Sequence, residues 1–257
     1  MAKFRRLKTY FSTIFSSSGW VSVLDALPAD ALSLKEAVSP LLALLPRPEY
    51  RLQAAHGLGV AVSRLARVDL ENARVIMRRL MWSLNEESGN LGWGVPEAIG
   101  AILARSPVLA GEYARIFLSY GYETGREDNF IDHAPLRHGV YLGAAALAAA
   151  NYAAARPLLP HLAKALAAPE ASIRAAAALT LRQLAMTAPP AEFSGPARTD
   201  WEQALAAVRE AALRLGTEAR LEYYEEGGIV SVTGETLFSQ AAEAVEKRLG
   251  ISAKQAQ

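Results

Sequence analysis

Residues 51–59 read Arg51-Leu52-Gln53-Ala54-Ala55-His56-Gly57-Leu58-Gly59. Ala, Leu, Arg and Gln are strong helix formers. The small residues Ala54, Ala55, Gly57 and Gly59 let a second helix approach closely, and Leu58 fills the space between. Related strings follow. They are Val95-Pro96-Glu97-Ala98-Ile99-Gly100, His138-Gly139-Val140-Tyr141-Leu142-Gly143, and Ile173-Arg174 followed by Ala177-Ala178 and Leu181. The aliphatic positions Leu58, Ile99, Leu142 and Leu181 recur with a period of about 40 residues, the repeat length of two-helix solenoids of the HEAT/armadillo type. Arg at the helix start is expected to pair with an acidic residue on the neighbouring turn.

Working outward, each string is preceded by a further helical pattern. First helices are expected near 32–45, 70–84, 108–120 and 156–168. Second helices are expected near 49–66, 94–105, 136–150 and 171–186. Pro28, Pro46, Pro48, Pro107, Pro157 and Pro169 punctuate the boundaries. The expected fold is all-α: about four HEAT/armadillo-like repeats over 28–187, after an amphipathic capping helix within 1–27. Residues 188–257 hold a helix from about Asp200 to Leu215, a β-hairpin and a last helix from about Thr236 to Leu249. In the hairpin, Leu221, Tyr223, Val230 and Val232 alternate around Gly227-Gly228. A two-residue Gly-Gly loop sets Tyr223 opposite Val232.

The first helix carries Phe4, Leu7, Phe11, Ile14 and Phe15 at spacings of three and four, opposite Lys3, Arg5, Arg6 and Lys8. This pattern suits a cap over the end of a helical stack, or a membrane-surface or partner-docking helix. The stretch after the basic residues lacks the apolar core of a signal peptide. Nothing is apolar for the length of a membrane span. A cytoplasmic location is expected.

Composition narrows the function. The 257 residues carry 27 Lys+Arg against 26 Asp+Glu, a formal net charge of +1. That balance disfavours nucleic acid as a partner. A basic concave stripe through Arg64, Arg67, Arg105 and Arg182 is the arrangement such binding would need. There is no cysteine, which excludes disulfides, thiol nucleophiles and Cys-ligated metals. Phosphate-cradling, dinucleotide-binding, nucleophile-elbow and His-Glu-x-x-His motifs are absent. No residue is assigned to catalysis, a metal or a cofactor.

The candidate site lies in two long connections, 85–94 and 121–134, where HEAT units are usually short. Equivalent loops of consecutive repeats are expected to neighbour one another, and long loops on a rigid scaffold favour function. Candidate binding residues are Asn85, Glu86, Glu87 and Trp93 in the first loop. Asp128, Asn129, Phe130, Asp132 and His133 are those of the second. Glu97, Arg137 and His138 stand at the adjoining helix starts, and Trp82 ends the preceding helix. The acidic character favours a protein or peptide partner with a basic segment. Trp82 is read either as inter-repeat packing or as a partner hot spot. The carboxylates are read either as helix caps paired with Arg126 and Arg137, or as part of a carboxylate–histidine metal or small-ligand site. His133 and His138 lack the four-residue spacing of two ligands on one helix. His56 is expected to be a packed structural histidine.

The strings Arg78-Arg79-Leu80-Met81-Trp82-Ser83-Leu84-Asn85-Glu86-Glu87-Ser88-Gly89, Gly92-Trp93-Gly94-Val95-Pro96-Glu97-Ala98 and Glu127-Asp128-Asn129-Phe130 resemble a group of HEAT-like repeat proteins from anaerobic, often sulfate-reducing, bacteria. The resemblance covers most of the chain. It implies the repeat fold and carries no activity with it. More distantly, the architecture is similar to phycobilisome-lyase-type repeats and to repeat-containing DNA alkylation glycosylases.

Overall fold

Side-chain caps and prolines start the helices where the sequence places them. Asp30 accepts from the Ser33 amide at 2.9 Å, Asp69 from Asn72 at 3.2 Å, and Thr233 from Thr236 at 3.2 Å. Each satisfies an otherwise orphaned first-turn amide. Gly94 precedes a helix with φ +76°, a left-handed conformation that favours glycine. The computed structural model describes residues 2–85, 92–125, 129–214, 216–225 and 227–251. These are mostly helical, with one small two-stranded antiparallel hairpin. The chain divides into two compact units.

The first unit comprises residues 1–117 and 224–229. It holds α1 (Ala2–Phe15), α2 (Trp20–Asp25), α3 (Ala31–Leu42), α4 (Arg51–Val68), α5 (Leu70–Trp82), α6 (Val95–Arg105) and most of α7 (Pro107–Ser119). The short α2 has no counterpart in the sequence reading, which places one amphipathic helix within residues 1–27. α4 is the hub, packing against α3, α5 and α6, while α1 lies on α3. Its alanine and glycine face does what the opening string implies. A Cβ on Gly59 would stand 2.9 Å from the Ala101 carbonyl oxygen, so α4 and α6 touch through backbone. Burial in α6 is continuous from Val95 to Leu103.

The second unit comprises residues 118–223 and 230–257. It holds α8 (Ala134–Ala150), α9 (Tyr152–Ala155), α10 (Leu159–Leu166), α11 (Ala171–Thr187), α12 (Arg198–Ala211) and α13 (Gly234–Leu249), with most of β1 (Arg220–Glu225) and β2 (Gly228–Thr233). α11 packs between α8 and α13, and α10 and α12 form a second layer behind them. Two hydroxyls pin α11 to α8. Thr180 donates to the Tyr141 carbonyl at 2.8 Å and Thr187 to that of Ala148 at 3.0 Å. Both contacts span 39 residues.

The hairpin register differs from the sequence reading. The Gly234 amide donates to the Ala219 carbonyl at 2.9 Å, which sets Tyr223 opposite Val230 rather than Val232. The strands end at Glu225 and restart at Gly228, so Gly228 belongs to β2 and not to the loop. The physical reason is conformational. Gly227 takes φ +86°, whereas Gly228 stays outside the left-handed region.

The helix-start arginines also take backbone partners. Arg51, Arg137 and Arg174 reach back to backbone carbonyls of the connection before their own helix. Arg51 donates to Leu45 at 3.3 Å. Arg137 donates to Ile131 and Asp132 at 3.0 and 2.9 Å. Arg174 donates to Ala168 and Pro169 at 3.0 and 2.7 Å. A forked guanidinium satisfies two carbonyls at once. Arg137 also pairs with Glu170 at 3.7 Å.

Candidate functional site

The connection 85–94 lies in the first unit and 121–134 in the second. Glu86, Glu87 and Asp128, with Arg126 and Glu127, lie outside the described residues. The remaining candidates fall into three settings.

Around the start of α6, Trp93 is half-buried, with the Arg51 guanidinium 5.7 Å from its ring centre. Glu97, one turn into α6, faces inward and is 8% exposed. Its Oε2 is buried and has no hydrogen-bond partner among the described residues. Burial raises its pKa, opposed by its own amide and by Arg51. Asn85 is exposed, its amide bonded to the Trp82 carbonyl.

In the second unit, the Asn129 side-chain amide donates to the Ser119 hydroxyl at 3.0 Å. Arg137 stacks over the Phe130 ring at 5.0 Å while holding the Ile131 and Asp132 carbonyls. These contacts use Arg137 to order the loop. Asp132 and His133 are exposed, His133 at the cap position of α8, and His138 is half-buried.

Trp82 stands apart, and the packing reading of it fails. It is 68% exposed. Val75, two turns earlier, is on the same side of α5 and 49% exposed. On α7, Val108 and Ile116 are likewise exposed, with Glu112 between them. Arg74 joins the two helices, its guanidinium bidentate on Glu112 at 2.5 and 2.9 Å. Arg78 pairs with Glu71 at 2.7 Å. Trp82 and Val75 are thus exposed apolar side chains on one side of α5, with the Arg78–Glu71 pair on the same helix.

A buried aromatic–cation cluster in the first unit escapes the sequence reading, apart from His56. Tyr224 lies against His56 with ring centres 4.1 Å apart and planes tilted by 51°, and Trp20 meets the imidazole edge-on at 5.3 Å. Arg105 donates to His56 Nδ1 at 3.0 Å and lies 5.9 Å from the Tyr224 ring centre. Burial, and secondarily Arg105, lower the His56 pKa to about 3. The imidazole is therefore neutral and accepts from Arg105. Arg105 is itself a half-buried cation, turned inward and not part of an exposed basic stripe. Local spacing carries no signal for this group, because its members come from distant parts of the chain.

Among the described residues, no group of three or more His, Asp or Glu side chains is placed to hold a metal ion. No described helix is long and apolar enough to cross a membrane. No protein-family description matches the chain, and comparison with curated proteins finds no match either.

Proposed function

We propose that the chain is a HEAT/armadillo-like α-solenoid that acts as a non-catalytic interaction scaffold, binding a protein partner through the surface around Trp82. The exposure of Trp82 carries this reading. A tryptophan two-thirds open to solvent, beside exposed Val75 on the same helix, is the composition of an interface anchor. The repeat architecture is supported by the side-by-side packing of α4 with α6 and of α8 with α11, whose strings define the period of about 40. The preference for a basic partner segment rests on Glu86, Glu87, Glu127 and Asp128, outside the described residues, and on Asp132, which is exposed.

The test is affinity purification from the native cell of wild type, Trp82→Ala and a control at another exposed leucine, Leu213→Ala. The reading expects a stoichiometric partner with wild type and the control. With Trp82→Ala it should be lost, or weakened at least about tenfold. A partner kept equally by Trp82→Ala refutes the surface. No partner in any sample favours the second reading, a small-ligand site at Glu97, whose buried carboxyl oxygen has no hydrogen-bond partner among the described residues. A ligand-induced thermal shift abolished by Glu97→Gln would establish that alternative.

A further inference from the structure

We infer that the solvent face of α1 docks on an anionic lipid surface. Residues 2–15 carry Lys3, Arg5, Arg6 and Lys8 and no acidic residue, in a chain whose whole net charge is +1. Positive charge is thus concentrated on one helix of a protein otherwise net negative. Phe11, Ile14 and Phe15 are buried, and α1 packs against α3. The apolar side is therefore committed to the fold. What faces water is basic, with Thr9 and Thr13 between the charges. Lys3 is tied to Glu36 at 2.5 Å. Arg5, Arg6 and Lys8 form no ion pair among the described residues, which leaves three cations for an external anion.

Two features select a bilayer over another polyanion. Phe4 and Tyr10 are 38% and 49% exposed at the margins of the buried side. Aromatic rings beside cations are the pattern of a lipid headgroup interface. Beside Tyr10 opens a cavity of about 260 Å³ between α1, α2 and α3. Leu7, Phe11, Val23, Leu27 and Ala37 line it, and the Lys3–Glu36 pair and Tyr10 also border it. An apolar recess bordered by Tyr10 suits an acyl chain entering beside the helix, while Arg5, Arg6 and Lys8, which do not line it, are left for headgroup phosphates. Nucleic acid offers the phosphates and nothing for the recess.

The experiment is co-sedimentation of the full chain with phosphatidylcholine vesicles, with and without about a third of phosphatidylglycerol. Binding should be at least about tenfold stronger to the anionic vesicles and should weaken with added salt. Arg5→Glu/Arg6→Glu/Lys8→Glu should reduce it to the neutral-vesicle level. The milder Arg5→Gln/Arg6→Gln should fall between, and both variants should keep the wild-type circular dichroism. If the triple variant misfolds, the double variant decides alone. Trp82→Ala should bind vesicles like wild type, which separates this inference from the partner surface. Equal binding to both vesicle types, no loss in the folded variants, or displacement of vesicles by an equal charge of duplex DNA would overturn it.

Discussion

Arg105 donates to the Nδ1 of His56 across 3.0 Å, and Tyr224 covers the same imidazole at a ring separation of 4.1 Å. Burial, and secondarily Arg105, hold the ring neutral, and its proton uptake is linked to folding. The unfolded chain protonates this residue below its ordinary value of 6.5, the folded chain only near 3. The contribution of His56 to stability is complete above pH 6.5 and declines as pH falls from 6.5 towards 3. The full loss is on the order of 5 kcal/mol at the upper end. Urea melts between pH 4 and 7 should show this slope. His56→Gln, which keeps an acceptor for Arg105, should flatten it.

Glu97 works in the opposite sense. Its pKa is raised by burial from an ordinary 4.5. The folded state therefore holds the proton to higher pH than the unfolded state. Its contribution is most favourable below pH 4.5 and falls as pH rises through the raised value. Glu97→Gln should be near neutral at low pH and increasingly stabilising towards pH 7. A constant difference from wild type across that range would show that the carboxyl has found a partner.

Three glycines separate close packing from chain flexibility. Gly59→Ala places a methyl 2.9 Å from the Ala101 carbonyl oxygen. Backbone cannot swing aside, so α4 and α6 must separate, at roughly 1–3 kcal/mol. Gly57→Ala meets Leu41 methyls at 3.0 and 3.3 Å. A side chain can yield, and the helix gains propensity, so the change stays within about 1 kcal/mol of zero. Gly111→Ala in α7 meets nothing within 4 Å and should stabilise by roughly 0.5–1 kcal/mol. Thermal melts should rank the variants in that order.

Arg174 is 3% exposed and holds the Ala168 and Pro169 carbonyls. Arg174→Met fills the volume but leaves both carbonyls without this donor, so a loss of about 2 kcal/mol is expected. Arg174→Lys offers a point donor in place of a fork and should recover only part of it. Equal stability of Met and Arg at this position would show that water replaces the guanidinium.

Much of the helical layout was legible because it is written locally. Apolar period, caps and prolines act over a few residues, so Asp69 starts α5 and Pro107 starts α7 close to where the pattern places them. The small residues around Gly59 announced close helix contact because absence of a side chain is itself a local property. The packed state of His56 was readable for the same reason.

Other features required the tertiary structure. Trp82 occupies a helix whose neighbours leave that side open, and helical spacing gives the side without saying what covers it. The hairpin alternation suited two registers, and the conformation of Gly227 selected one. Arg51, Arg137 and Arg174 were visible as a recurring helix-start residue, but a guanidinium serves a carbonyl as readily as a carboxylate, so only the path of the preceding connection decides its partner. Spacing marks Glu97 as a first-turn acid; whether its carboxyl meets water or protein is set by Arg51 and the packing around α6. Sequence by itself thus determined the helices and their small-residue contacts, through forces that act within a few residues. Only the tertiary structure decided which charges are buried, which aromatics are exposed and what each arginine holds, because those depend on atoms supplied from far along the chain.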